Sequence, residues 1–330
     1  MLLLLASVTA TSTLGGHTVT LSDGTRMPLI AAGTWQYNDS VAEASVVAAV
    51  SAGFHHIDTA ADYQNQAGVS RGLKASGIAR EDLFLTSKVP GCGVQGVDAS
   101  NCEESTLQLV QEDQRLLSSS YPELGAIDLV LVHFPPCVQA PPGTDSPIKT
   151  PCHAKRNGCS DPDNCAAVAK QWAAMERAVA MGLVKSIGVS NYCKACLECI
   201  GALRPPVVNQ VQTHVGMGAD PQHFVSTAAA AGVTLQAWSP LGAGGHGSKQ
   251  ILSGNLTTSI GRAHGKSAAQ VALKWIVQRG IAVVTKSSSL EHLKQDIDLF
   301  DFNLTAAELA ALSAASFASA DTPSFMCDDK

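Results

Sequence analysis

The chain contains no apolar run that approaches the ~20 residues of a membrane-spanning helix. It also has few basic residues, because 22 Lys and Arg face 28 Asp and Glu and leave a net charge of -6 and a pI near 5.9. Binding to a phosphate backbone depends on clustered Lys and Arg. We therefore expect a small-molecule ligand, no membrane contact and no nucleic-acid partner.

Charge blocks, linkers and short-period repeats are also absent from the sequence. Charged residues make up 15% and hydrophobic residues 45% of its 330 positions, which excludes an intrinsically disordered protein and supplies a large core. Closed α/β barrels routinely use this much chain as one unit. We expect an N-terminal tail or short signal-like segment over residues 1–16 and a single domain over residues 17–330.

Short runs of β-branched or apolar residues alternate with longer segments of helical period. This alternation is typical of βα units and a parallel sheet. Eight runs favour a closed (β/α)8 TIM barrel over an open sheet, although a strand count alone does not establish closure. The runs are Leu29–Thr34, Phe54–Thr59, Leu83–Lys88, Asp128–His133, Lys185–Ser190, Val207–Gln212, Val233–Ser239 and Ile281–Ser287.

Segments outside this pattern are expected at the two ends of the barrel. His17–Pro28 is predicted to form a β-hairpin that covers the barrel floor, because Asp-Gly between alternating runs favours a tight turn. Gly91–Asn101 and Pro135–Asn164 are long loops, rich in Gly, Pro, Asp and Cys, that follow predicted strands. They are expected at the C-terminal rim, where the active sites of this fold lie, as walls of a substrate pocket.

Four residues near the ends of predicted strands form a candidate proton-donor set. Asp58, Lys88 and His133 lie at the ends of three runs, and Tyr63 lies in the loop after the first of these. A phenol has an ordinary pKa near ~10, so we expect the Lys88 ammonium to lower it and Asp58 to hold Lys88. His133 is expected to orient a carbonyl oxygen and to stabilise the alkoxide. Each residue alone also fits a structural role, but the four together favour catalysis.

Around these residues the chain resembles the aldo-keto reductases. The resemblance runs in order from about His17 to Leu312. It implies a (β/α)8 barrel, reduction of carbonyl groups by NADPH, and a catalytic role for the four residues above. The matching segments are Gly33-Thr34-Trp35, HIDTA at His56–Ala60, Tyr63-Gln64-Asn65, TSK at Thr86–Lys88, LVHFP at Leu131–Pro135, GVSN at Gly188–Asn191, NQVQ at Asn209–Gln212, WSPLG at Trp238–Gly242, TKS at Thr285–Ser287 and FDF at Phe300–Phe302.

The resemblance also implies which residues bind the cofactor. Ser190, Asn191 and Gln212 match positions that hold the nicotinamide carboxamide, which needs both donors and acceptors. Trp238 matches the aromatic residue that stacks on the nicotinamide ring. The absence of a GxGxxG fingerprint is then expected, because this barrel binds dinucleotides without a Rossmann unit. The expected cofactor-binding residues are Thr34, Trp35, Asp58, Ser190, Asn191, Gln212 and Trp238, with Ser239 and Leu241 at the pyrophosphate and Lys286, Ser287, Ser289 and His292 around the adenosine ribose and its 2′-phosphate.

Some positions depart from the family pattern. His292 replaces the usual Arg at the 2′-phosphate, and Gln295 and Asp296 replace Glu and Asn near the adenine. A neutral imidazole attracts a phosphate dianion less than a guanidinium does. We therefore expect NADPH to be preferred only weakly and NADH to support turnover. Gln66 replaces the glutamate usual after Tyr-x-Asn, close to the four catalytic positions.

The expected function is an NAD(P)H-dependent oxidoreductase that reduces an aldehyde or ketone to an alcohol. The nicotinamide supplies the hydride and Tyr63 supplies the proton. Two alternatives stay open, a non-catalytic nucleotide-binding subunit and a reversible oxidation and reduction that gives epimerisation. The intact catalytic set favours the enzyme over the subunit, and product analysis separates epimerisation from simple reduction. We expect a monomer.

Ten cysteines are many for a cytosolic enzyme. In an oxidising compartment we predict that Cys92 pairs with Cys102. Cys193, Cys196 and Cys199 have a spacing that suits an iron–sulfur cluster but lack a fourth ligand, so helix cysteines are favoured and no metal is expected. Disulfides or free thiols likewise remain simpler than a zinc loop at Cys152-His153. We predict that some of four further loop cysteines are bridged, namely Cys137, Cys152, Cys159 and Cys165.

The sequence carries opposing indications of its compartment. The first ten residues, MLLLLASVTA, combine apolar and small residues as a short signal peptide does, but lack a basic start. Glycosylation sequons at Asn38, Asn255 and Asn303 fit secretion. The family default and the need for regenerated reduced cofactor favour the cytoplasm. We therefore expect a cytoplasmic protein, with the secretory pathway as the alternative.

Overall fold

A closed barrel of eight parallel strands forms the centre of the molecule. The computed structural model describes residue 14 and residues 16–139, 159–201, 204–242 and 248–317. Strand order around the barrel follows the chain, and the last strand pairs with the first. The predicted (β/α)8 barrel is therefore confirmed. Its strands are β3 Ile30–Gly33, β4 His56–Asp58, β5 Phe84–Val89, β6 Ile127–Val132, β7 Val184–Ser190, β8 Val208–Gln212, β9 Thr234–Trp238 and β10 Ala282–Thr285.

Helices pack around the barrel and bury apolar side chains against its outer face. Several begin at a side-chain cap, as where Asn38 accepts from the Val41 N–H and where Ser267 and Gln270 form a capping box. The helices of the described residues are α1 Asp39–Ala52, α2 Gln66–Ser76, α3 Cys102–Leu117, α4 Pro162–Ala180, α5 Lys194–Glu198, α6 Phe224–Ala231, α7 Ser248–Ser253, α8 Asn255–His264, α9 Ala268–Gln278, α10 Leu290–Ile297 and α11 Ala306–Ala314. None of them is long and apolar enough to cross a membrane.

An antiparallel hairpin of β1 (Thr18–Thr20) and β2 (Arg26–Pro28) precedes the barrel. The Ser186 hydroxyl, near the start of β7, donates to the carboxylate of Asp23 in the hairpin turn at 2.7 Å. The hydroxyls of Ser186 and Thr25 are 3.0 Å apart. Because the first residues of the parallel strands lie at the barrel floor, the hairpin covers the floor as predicted.

Disulfides tie the rim loops to neighbouring elements. The predicted pair after β5 is confirmed. Cys159, before α4, bonds to Cys196 in α5, and Cys165, in the first turn of α4, bonds to Cys199, which follows α5. Cys193 is also in a disulfide. The triplet lies at a helix as predicted, with Cys196 inside α5 and Cys193 and Cys199 at its two ends. Its cysteines are also disulfide-bonded, because the segment that leads into α4 folds against the segment after β7. The pairs are Cys92–Cys102, Cys159–Cys196 and Cys165–Cys199.

Several sequence expectations fall on residues that the structure does not describe. Of the expected tail over residues 1–16, only Leu14 and Gly16 are described. Cys152 lies within residues 140–158, outside the described ranges, although Cys137 at the start of that loop is disulfide-bonded. Among the described residues, no group of His, Cys, Asp and Glu is arranged to hold a metal ion.

Candidate active site

The four predicted catalytic residues meet at the C-terminal mouth of the barrel. Asp58 ends β4, Lys88 lies near the end of β5, His133 follows β6, and Tyr63 ends a short 3-10 turn that begins at Ala61. The Lys88 Nζ donates to Asp58 Oδ1 at 2.5 Å and approaches Tyr63 Oη at 3.3 Å. Lys88 is fully buried, and a buried ammonium is tolerated only when it is paired and hydrogen-bonded. The ion pair therefore fixes the ammonium beneath the phenol.

The Tyr63 phenol is held in its protonated form in this arrangement. Burial raises its pKa well above the ordinary value, and the carboxylates of Asp58 and Asp62 raise it further. The net shift is therefore opposite to the one expected from Lys88 alone, because burial, the largest contribution, and the two carboxylates outweigh the ammonium. A neutral phenol is the form that a proton donor requires. Lys88 still lies where it can stabilise the phenolate after the proton has left.

His133 is held by a carboxylate that the sequence analysis passed over. Its Nδ1 lies 2.9 Å from Asp62 Oδ1, and its ring meets the Tyr63 ring nearly edge-on with centroids 5.7 Å apart. Burial opposes ionisation of Asp62, but His133 and Lys88 hold the pKa of its carboxyl below the ordinary value. Asp62 is therefore ionised and fixes the orientation of the imidazole at the mouth.

The residues expected at the nicotinamide form one hydrogen-bonded group beside His133. The Asn191 side-chain nitrogen donates to the Ser190 hydroxyl and to the His133 main-chain carbonyl, each at 3.0 Å. Trp238 Nε1 donates to Asn191 Oδ1 at 3.0 Å, and Ser190 Oγ donates to the Gln210 carbonyl at 2.7 Å. Asn191 has a φ of 61°, a left-handed conformation that persists where the surroundings fix it. The group is thus built as a rigid unit.

Gln210 was missed by the sequence analysis and connects this group to the ion pair. Its side-chain nitrogen donates to Asp58 Oδ2 and to Gln236 Oε1, both at 2.8 Å. The predicted residue Gln212 lies two positions later on β8 and is buried. Residues two apart share a face of a strand, so both glutamines lie on the same side of β8. Gln210 thus donates to Asp58 Oδ2, and Lys88 donates to the other carboxylate oxygen, Oδ1.

The expected phosphate-binding residues follow β10, the strand that pairs with β9. Ser287 Oγ accepts from the Ser289 N–H at 3.0 Å, and Ser289 caps α10 by accepting from the His292 N–H at 3.4 Å. Helix N-termini favour anions because their N–H groups and dipole point outward. His292 is exposed on the first turn, and Lys286 Nζ lies 5.8 Å from the centre of the Trp35 ring. This part of the mouth therefore carries the Lys286 ammonium and the N-terminus of α10.

The remaining predicted cofactor residues also line the rim. The buried Thr34 hydroxyl donates to Thr59 Oγ1 at 2.9 Å beside Asp58. Ser239 follows β9 with a φ of 49°, and Leu241 is partly buried at the end of a described range. All the residues predicted for the site are thus brought to one end of the barrel.

Comparison with known proteins gives the same result as the geometry. The model of the aldo/keto reductase family matches residues 29–316. The chain belongs to this family. It is accordingly an oxidoreductase that reduces carbonyl groups with NADPH, and the family resemblance inferred from the sequence motifs is confirmed.

Similar proteins cover nearly the whole of this aldo/keto reductase. An aldo-keto reductase of Mycolicibacterium vanbaalenii is 34% identical over 300 residues, covering 89% of this chain and 90% of that protein. The glyoxal reductase of Bacillus subtilis is 32% identical over 300 residues, covering 90% and 92%. The crystal structure of a Bombyx mori aldo-keto reductase in complex with NADP has a TM-score of 0.72 at 27% identity, covering 93% of each chain.

Behind the catalytic residues, this aldo/keto reductase buries a further carboxylate. Asp113 on α3 is 1% exposed, and its Oδ1 accepts from Gln66 Nε2 at 3.0 Å. The same nitrogen donates to the Ala61 carbonyl at 2.8 Å, at the start of the turn that carries Tyr63. Burial raises the pKa of Asp113 to about 6, against the opposing effect of the hydrogen bond from Gln66. Gln66, the departure from the family pattern, is thus the donor that this carboxylate requires.

We expect Asp113→Asn to stabilise the protein above about pH 6. The pKa of Asp113 rises from 3.8 to about 6 on folding, so the folded state binds the proton more tightly. The contribution of the protonated Asp113 to the free energy of unfolding is complete below about pH 4 and is lost as the pH rises through about 6. Asparagine keeps an acceptor for Gln66 without the charge. Urea unfolding at about pH 5 and about pH 8 should show the variant's advantage growing by about 1.4 kcal/mol.

The matched control for this prediction is Glu112→Gln, which removes the neighbouring but exposed carboxylate of the same helix. It is expected to change the free energy of unfolding little at either pH. A stability difference between Asp113→Asn and the wild type that is the same at both pH values would show that Asp113 is ionised throughout.

Proposed function

We propose that Tyr63 protonates the carbonyl oxygen of an aldehyde or ketone in the reaction that this enzyme catalyses. When bound, NADPH supplies a hydride to the carbonyl carbon, so that the C=O bond becomes an alcohol. The O–H bond of Tyr63 breaks, and the phenolate is stabilised by Lys88 Nζ at 3.3 Å until solvent returns a proton. The observation that carries this proposal is the Asp58–Lys88–Tyr63 chain of contacts at the barrel mouth, and replacement of Tyr63 tests it directly.

The described residues fit a nicotinamide cofactor. Ser190 and Asn191 present hydroxyl and amide groups at the end of β7, which match the donors and acceptors of a carboxamide. Trp238 is pinned by its hydrogen bond to Asn191, so its ring face has a fixed orientation for stacking. We propose that these three residues, with Gln212 at the end of β8, hold the nicotinamide beside His133.

We propose that Lys286, Ser287 and Ser289 bind the adenosine end and that His292 faces the 2′-phosphate. An arginine at position 292 would add one charge-assisted bidentate contact, worth roughly 1.5–3 kcal/mol. The exposed imidazole supplies such charge only when it is protonated. NADPH is therefore favoured over NADH by a modest factor, and NADH supports measurable turnover.

We expect the preference for NADPH to grow as the pH falls and His292 gains a proton. We also expect His292→Arg to strengthen NADPH binding at neutral pH by roughly 10- to 100-fold and to leave NADH binding unchanged. The measurement is Kd of both cofactors at two pH values for wild type and variant. A Kd for NADPH that changes neither with the pH nor with the substitution would show that His292 does not face the 2′-phosphate.

We propose that the enzyme is a monomer whose single domain spans residues 17–330. In the described part of the chain, the exposed large apolar side chains lie singly on different elements, namely Trp35, Val41, Met181, Leu252 and Leu290. Such scattered residues do not form the contiguous patch of an obligate interface. Light scattering of the full chain should give the monomer mass, and a stable dimer mass would contradict this proposal.

The disulfides favour the secretory alternative over the cytoplasmic location that we expected from the family. Disulfides are rare in the cytosol, and every cysteine in the described residues is bonded. All three sequon asparagines, Asn38, Asn255 and Asn303, are exposed. We propose that the chain folds in an oxidising compartment, where the rim loops are fixed by these bonds.

Non-reducing peptide mapping of protein from its native source should recover the three pairs Cys92–Cys102, Cys159–Cys196 and Cys165–Cys199. Each disulfide is expected to contribute roughly 2–4 kcal/mol, so reduction should lower Tm clearly. Mapping that finds all these cysteines as free thiols would instead support the cytoplasm.

A further inference from the structure

The two ring nitrogens of His133 lie in different surroundings. Nδ1 faces Asp62 Oδ1 at 2.9 Å, and the side chains of His133 and Asp62 are only 16% and 11% exposed. The main-chain carbonyl of His133 accepts from the Asn191 amide at 3.0 Å, and its ring lies against Tyr63. The backbone and one ring nitrogen are therefore fixed, and Nε2 is the nitrogen left to contact a substrate.

The partner of Nδ1 determines what Nε2 can do. An ionised carboxylate only accepts hydrogen bonds, so Nδ1 must carry the hydrogen that points to Asp62. In a neutral imidazole the other nitrogen then has a lone pair and no hydrogen. Such a ring cannot donate to a carbonyl oxygen, and it repels an alkoxide. Only the imidazolium, with hydrogen on both nitrogens, can satisfy Asp62 and the substrate together.

We propose that Asp62 is a positioning residue that makes the imidazolium of His133 the productive form of this enzyme. The Nε2–H then donates to the carbonyl oxygen, and the positive charge opposes the negative charge that develops there. The proton that completes the alcohol still comes from Tyr63, so His133 keeps both of its protons through the reaction. This inference rests on the proposed function, because it assigns a state to a residue of the same site.

The charged groups around the pair are compatible with this assignment. Tyr63 lies on the same turn as Asp62, Asp58 on β4, Lys88 on β5, and Asp113 on α3. Lys88 is paired with Asp58, to which it donates at 2.5 Å, and its charge also acts on Asp62. His133 and Lys88 together keep Asp62 ionised despite its burial. Asp62 is thus the carboxylate in direct contact with the imidazole.

The test compares wild type with Asp62→Asn. We expect wild-type kcat/KM for a carbonyl substrate to fall at high pH as the imidazolium is lost, and the variant to show this fall at a pH lower by about one unit or more. At about pH 8 the variant should lose roughly tenfold in kcat while its Kd for NADPH stays unchanged. Glu112→Gln, which removes an exposed carboxylate on α3, is the control and should leave the pH profile unchanged.

A second measurement reads the state of His133 without any turnover. The ¹⁵N chemical shifts of the ring in the NADP⁺ complex distinguish an imidazolium from each neutral tautomer, and His133→Gln assigns the signals. We expect hydrogen on Nδ1 at every pH, and on Nε2 as well over the pH range in which the enzyme is active. A neutral ring with hydrogen on Nε2 at neutral pH, or an Asp62→Asn profile that coincides with that of wild type, would overturn the inference.

These outcomes are separable from failure of the proposed function. If wild type reduces carbonyl compounds and depends on Tyr63, but the His133 signals and the pH profile do not respond to Asp62, the inference fails alone. If wild type reduces no carbonyl compound, the proposed function fails, and the ring signals still report whether Asp62 fixes the imidazolium.

Discussion

Tyr63→Phe is expected to lower turnover by about 100-fold or more and to leave NADPH binding intact. Phenylalanine keeps the ring that meets His133 at 5.7 Å and removes only the hydroxyl that Lys88 approaches. The substrate oxygen then has no positioned acid, although the hydride donor is still in place. The measurements are kcat from NADPH absorbance and Kd from the quenching of tryptophan fluorescence by the cofactor.

Tyr121→Phe supplies the matched control. The Tyr121 hydroxyl donates to the Ile78 carbonyl at 2.8 Å, in a buried position outside the barrel mouth. Its loss should reduce stability by about 1 kcal/mol and leave turnover unchanged. Near-normal turnover of Tyr63→Phe, with Tyr121→Phe behaving as expected, would remove Tyr63 from the role of proton donor.

Lys88→Met is expected to suppress turnover to a similar degree and to reduce stability as well. The variant loses the cation beneath Tyr63, so the phenolate that follows proton transfer is no longer stabilised. It also leaves Asp58 ionised and buried, with Gln210 as a remaining hydrogen-bond donor. Breaking one side of a buried ion pair typically costs about 3–5 kcal/mol. Urea unfolding and steady-state kinetics measure the two effects.

The double variant Lys88→Met with Asp58→Asn separates stability from catalysis. Without the unpaired carboxylate, it should recover much of the lost stability. Turnover should stay low, because the phenol still lacks its cation. Full activity and an unchanged pH profile of Lys88→Met would show that the ammonium only supports the fold.

The barrel was predictable because parallel strands covered on both faces read as nearly continuous apolar runs. Each of the eight predicted runs overlaps an observed strand, as Leu83–Lys88 overlaps Phe84–Val89. The catalytic residues were predictable for a related reason. In a closed barrel all strands end at one rim, so polar residues that follow apolar runs converge even when they are distant in sequence.

The other contacts of the site could not be predicted, because residue spacing in the sequence does not indicate which side chains from different elements meet. Gln210 and Gln212 lie on the same face of β8, so the sequence pattern does not distinguish them. Only the position of Asp58 along the barrel axis brings its carboxylate to Gln210. Asp62 is adjacent to Tyr63 in sequence, but the 3-10 turn aims it at His133, 71 residues later. The pairing of Cys165 with Cys199 likewise depends on how the start of α4 packs against the end of α5.

The pKa of Tyr63 shows a further limit of residue-by-residue reasoning. A lysine beside a tyrosine suggests a lowered phenol pKa. In the folded protein, burial and the two carboxylates raise it. The sign of the shift is set by the whole group of charges, which is known only once the barrel closes.

The most direct test of carbonyl reduction at this site follows a hydride from the cofactor to the product. The enzyme is given NADPH that carries deuterium at the transferable position of the nicotinamide, with a panel of aldehydes, ketones and sugars. We predict consumption of the cofactor in step with alcohol formation, and deuterium on the former carbonyl carbon, with both lost in Tyr63→Phe. Tight binding of NADPH without consumption of any carbonyl compound, or an alcohol that lacks the deuterium, would contradict the account.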